Sequence, residues 1–81
     1  MATASVEKTL HEVYEVISHI IKLPETKMWI DFDKEADVMY LSFKRPQKAT
    51  DTEKLDNGIL LRYRDDELVG ITVLDASKPR V

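Results

Sequence analysis

Acidic side chains recur at every second residue through Asp31, Asp33, Glu35 and Asp37, the spacing of the first four liganding positions of a calcium loop. The pattern stops there. Ala36 stands where such a loop needs glycine for its sharp turn, and Ser42 where it needs a bidentate glutamate. The carboxylates therefore read as a solvated hairpin turn, with Asp33 and Asp37 accepting backbone hydrogen bonds. A second candidate, His11-Glu12-Val13-Tyr14-Glu15, opens like a zinc-protease helix but ends on Glu15 where the second histidine belongs. His11, Glu15 and His19 share one helix flank at steps of four, and an adjacent two could hold a divalent ion. The histidines themselves, about 12 Å apart along a helix, cannot share one. Solvated side-chain pairs are the better account of that flank.

The remaining chemistry is thinner still. Lys44, Arg45 and Lys48, joined by Lys54, form the basic cluster, but no aromatic is interleaved and the chain carries a formal charge of −3. This balance argues against nucleic-acid binding. Gly58 and Gly70 are the only glycines, too few for a phosphate-binding loop. The chain has no cysteine, which removes disulfides, thiolate metal sites and a cysteine nucleophile and permits a reducing cytoplasm. No catalytic residue, metal or cofactor is assigned; a small enzyme or metal binder built on Asp33, Asp37 and Tyr40 is kept as the alternative reading.

The elements that position these groups follow from periodicity. Val6, Leu10, Val13, Ile17 and Ile20 are spaced four, three, four and three, and the apolar arc they share with Val16 and Ile21 spans about 160° of a helical wheel. The spacing predicts a helix over residues 5–23, capped by Thr3 or Ser5, with Glu7 in its first turn and Pro24 as its stop. Its β-branched content makes it a poor helix alone, so packing must stabilise it. Met28, Ile30 and Phe32, then Met39, Leu41 and Phe43, alternate with their neighbours as two strands joined by Asp33–Asp37. After the charged break around Pro46, residues 51–56 are either a loop or an irregular edge anchored by Leu55. Asn57-Gly58 introduces a second hairpin, Ile59–Tyr63 and Leu68–Leu74, linked by Arg64-Asp65-Asp66-Glu67. The tail from Ala76 is expected to fray.

Alternation places Met28, Ile30, Phe32, Met39, Leu41, Phe43, Val69, Ile71 and Val73 on one sheet face. Trp29, Val38, Tyr40, Leu60, Leu68 and Leu74 are left for the other, and one helix cannot cover both. Either Trp29 and Tyr40 are a solvated cross-strand pair, or this face is a patch that makes a dimer or docks a partner. The second reading is favoured, because 81 residues lie near the lower limit for a self-sufficient core.

Phe32-Asp33-Lys34-Glu35-Ala36-Asp37-Val38-Met39-Tyr40, then Asn57-Gly58-Ile59, then Gly70-Ile71-Thr72-Val73-Leu74-Asp75-Ala76-Ser77 resemble the domain-of-unknown-function family 2283 of small bacterial proteins. Three separated pieces occur in the right order over about residues 28–77. The resemblance implies a four-stranded antiparallel unit without established biochemistry, and some relatives look like components of toxin-antitoxin type pairs. The family's glycine after the second acidic pair is replaced by Glu67 here, which bears on how tight that turn is.

These readings combine into one α+β domain over residues 1–81: an N-terminal helix followed by a four-stranded antiparallel sheet in meander order over 27–75, with the helix on or beside the sheet or on another subunit. The expected function is a noncatalytic cytoplasmic interaction module, a homodimer that also docks a protein partner. Trp29, Tyr40, Leu60 and Leu74 are the candidate contact residues, and Asp33 and Asp37 the turn motif. No apolar stretch approaches the roughly 20 residues of a membrane span, and the first residues lack the pattern of a secretory signal.

Overall fold

A computed structural model describes residues 3–78. The order is α1 (Thr3–Ile20), β1 (Trp29–Asp33), β2 (Val38–Ser42), β3 (Asp51–Lys54), β4 (Ile59–Arg64) and β5 (Glu67–Leu74), so the α+β class with the helix first holds. The helix starts two residues earlier than the sequence suggests. Ser5 thus lies inside the helix, and no acidic residue occupies the first turn. It also ends earlier, at Ile20, but the chain keeps turning: the Ile21, Lys22 and Leu23 amides donate to the carbonyls of Ile17, His19 and Ile20 at 3.0–3.1 Å. Pro24 follows, and the run stops there as expected.

The sheet has five strands rather than four, in the order β1-β2-β5-β4-β3, with every neighbouring pair antiparallel. The additional strand is Asp51–Lys54, exposed at every residue. An edge strand paired on one side only has no face that must be apolar, so no alternation marks it, and its charges discourage further pairing. The meander is also corrected. Meander order would set β2 beside β4, yet β5 lies between them. This eight-residue strand, Glu-Leu-Val-Gly-Ile-Thr-Val-Leu, is the longest and holds the fully buried Val69, so the central place satisfies both its edges and covers its apolar residues.

Register confirms the division into faces up to one irregularity. Phe32 faces Met39, Met39 faces Val73 and Val73 faces Ile59, while Ile30, Leu41, Ile71 and Leu61 form the next row. A register shift beside Arg62 and Tyr63 sets Tyr63 opposite Leu68, so Val69 is an extra residue and simple alternation fails at Leu68. Arg64 and Glu67 are themselves paired, leaving a turn of Asp65 and Asp66 alone. Its tightness survives without glycine because Asp65 takes a φ of 56°, a conformation aspartate tolerates better than most residues.

The helix does not pack on the sheet. Among the described residues α1 makes no contact with any strand, and Val6, Leu10, Val13, Val16 and Ile17 are each 44–56% exposed. The sheet is only partly covered: Ile30 and Phe32 on β1 are exposed, its central apolar residues are half-buried, and among the described residues Phe43 and Val69 are the buried apolar side chains. The chain consequently exposes 6659 Å², where a compact monomer of this mass exposes about 5,000 Å². Its radius of gyration is 14.7 Å, against about 12 Å for a compact domain of this length.

Candidate functional site

The aspartates of the first hairpin do different work. Asp33 closes its own turn, its Oδ1 accepting the Ala36 amide at 3.1 Å. Asp37, with a φ of 57°, turns outward and holds a segment 40 residues away. Its Oδ1 accepts the Ser77 amide at 3.0 Å and its Oδ2 the Ser77 hydroxyl at 2.8 Å, while its carbonyl accepts the Ala76 amide at 2.9 Å. The tail therefore does not fray at Ala76; it is tied down through Ser77, and residues 79–81 lie outside the described residues. Asp33 and Asp37 both spend side-chain oxygens on backbone, and Tyr40 stands in the middle of β2 facing Asp31 and Thr72. By register Asp33 shares a face with Tyr40, two residues along, while the Asp37 carboxylate is turned to Ser77.

Trp29, Tyr40, Leu60 and Leu74 do share a face. Trp29 pairs with Ser42 and Tyr40 with Asp31, which makes the two aromatics diagonal neighbours. Leu60 and Tyr40 flank Thr72 in one row, and Leu74 faces Val38 in the next. Tyr40 is 45% exposed, and the Arg45 guanidinium lies 6.0 Å from the centre of the Trp29 ring. This face is not simply apolar. Gln47 reaches over β5, donating to Ser42 Oγ at 2.9 Å and accepting from Arg62 Nε at 3.3 Å, and Arg62 Nη1 donates to Thr52 Oγ1 at 2.9 Å. Beside this chain of bonds is a shallow cleft of about 380 Å³ between Tyr40, Leu60, Arg62 and Leu74.

The other candidates disperse. His11 Nε2 sits 3.8 Å from Glu15 Oε1 with both side chains exposed, and among the described residues no three His, Asp or Glu side chains converge as a metal site would require. Of the basic cluster, Lys44 pairs with Glu67 at 3.5 Å, Arg45 lies over Trp29, and Lys54 stands on the far edge strand. Among the described residues no helix is long and apolar enough to cross a membrane.

The clasp joins Asp37 of the first hairpin to Ala76 and Ser77 just after β5, and residues 29–77 match the family model described as protein of unknown function (DUF2283). The chain belongs to this family. No curated protein and no solved structure matches it. The DUF2283 stretch begins at Trp29, so it comprises the sheet and the clasp, and α1 is an addition in front of it. Sequence reasoning missed Gln47, Arg62 and Ser77 as partners within this unit. The signal for the first two is Gly70: a Cβ there would collide with Gln47 Nε2 and come within 2.9 Å of the Leu41 carbonyl oxygen, and a lone glycine in an apolar strand marks such an approach.

Proposed function

We propose that this DUF2283 protein is a noncatalytic interaction module of the bacterial cytoplasm that self-associates through its helix. In this reading the face carrying Trp29, Tyr40, Leu60 and Leu74 docks a protein partner, as in a toxin-antitoxin type pair. The observation that carries the reading is the unpartnered helix, with five apolar side chains of its stripe each about half exposed and no strand of its own chain beneath them. A lone helix of this composition is unstable in water. A partner surface supplies what the chain withholds. The alternative, a small enzyme or metal binder on Asp33, Asp37 and Tyr40, is weakened by the backbone bonds that occupy Asp33 and Asp37.

The test is light scattering at micromolar concentration together with calorimetric titration of calcium, magnesium, manganese and zinc. The expected outcome is a mass of twice the chain and no stoichiometric heat. A monomer at every concentration overturns self-association, and a heat abolished by Asp33→Asn replaces the module with the metal-binding alternative.

A further inference from the structure

Among the described residues the helix has no strand of its own chain to lie on, and two apolar surfaces lack a covering element: the stripe of α1, and the sheet face that carries Phe32, Leu41, Leu61, Ile71 and Val73, half-buried at its centre and with the β1 residues Ile30 and Phe32 50% and 44% exposed. We infer that a second copy of the chain supplies both covers, each helix lying across this face of the other protomer's sheet. The inference rests on the proposed self-association and deepens it.

Three observations select this arrangement. The first is size. Eighteen residues of helix are about 27 Å long, and five strands set the outer strands about 19 Å apart, so one helix spans one sheet. The second is the chemistry of the two faces. The opposite face carries Arg62, Gln47, Thr52 and Ser42 in a hydrogen-bonded chain, and an apolar helix laid there would strip water from a guanidinium held only by neutral oxygens. The face with Ile71 at its centre imposes no such cost. The third is area. The chain's 6659 Å² exceeds the compact-monomer value by roughly 1,600 Å², about twice what each partner of a standard complex buries and within the range of obligate dimers. A single two-fold axis satisfies both deficits at once, the economy that makes element exchange a common route to dimers.

The natural absence of cysteine makes the test clean. Two chains are prepared, one Val13→Cys and one Ile71→Cys, mixed under exchange conditions and treated with a short bis-maleimide. Because Ile71→Cys could unsettle the central strand, Ile30→Cys on the half-exposed edge serves as a second sheet variant, and circular dichroism verifies each fold. The expected result is a cross-linked band joining the helix variant to either sheet variant in the mixture. A chain carrying both cysteines that yields only internal cross-links shows the helix on its own sheet and overturns the inference. A Val13→Cys chain that cross-links to itself while the mixtures stay empty shows helix against helix, which overturns the exchange but leaves self-association standing. A wild-type monomer by light scattering removes both.

Discussion

Asp37 and Asp33 look alike in the sequence but hold different spans of chain. Asp33 supports four residues of its own turn; Asp37 fastens the end of the central strand to the first hairpin through two side-chain bonds. A hydrogen bond to a charged group contributes about 1.5–3 kcal/mol, and less where solvent competes. Asp37→Ala is therefore expected to lower stability by about 1–3 kcal/mol in urea titrations, and Asp33→Ala by about 1 kcal/mol or less. Combining Asp37→Ala with Ser77→Ala should cost less than the sum of the two, and strict additivity would show that the pair of the Ser77 hydroxyl and the Asp37 carboxylate carries no energy. Trp29 makes an equally sharp case. The side chain is half-buried rather than in the core, with Arg45 over its ring, so Trp29→Ala should lose about 1–2 kcal/mol. A loss of about 3–5 kcal/mol, the range of a core aromatic, would move it from the docking face into the core.

At the level of elements, Gly70 shows how a strand accommodates something laid over it. Gly70→Ala is expected to cost about 1–3 kcal/mol through overpacking. In a Gln47→Ala background the same change should cost less but not nothing, since the Leu41 carbonyl remains 2.9 Å from the new methyl. An unchanged cost in that background would mean that Gln47 moves aside freely. Much at this scale was legible beforehand. The α+β class, both hairpins and the two sheet faces were readable because burial on one side imposes a period. What had no period stayed hidden: β3 is polar on both faces, and the central place of β5 depends on long-range pairing that alternation cannot order. Of the site, Asp33 was legible as a turn acceptor, whereas Asp37, expected in the same role, holds Ser77 instead. Ser77 was not legible, because its partner lies 40 residues away.

For the molecule as a whole, the helical stripe was readable to the residue while its cover was not, since periodicity identifies which side is apolar and never which surface meets it. If the cover is another chain, stability depends on concentration: tenfold more protein should raise the thermal midpoint by a few degrees, and an unchanged midpoint would point to a self-sufficient monomer. The strand order adds a consequence in time. β5 is the last strand of the sheet in the chain and the middle one in space, so the hairpin of β1 and β2 and the pair β3 and β4 have nothing to join them until it emerges from the ribosome. More than fifty residues separate Ile20 from Leu74, roughly 3–10 s of synthesis. Through that interval each nascent chain displays an apolar helix with no sheet of its own to receive it, and a finished neighbour on the same messenger would be the first surface able to do so.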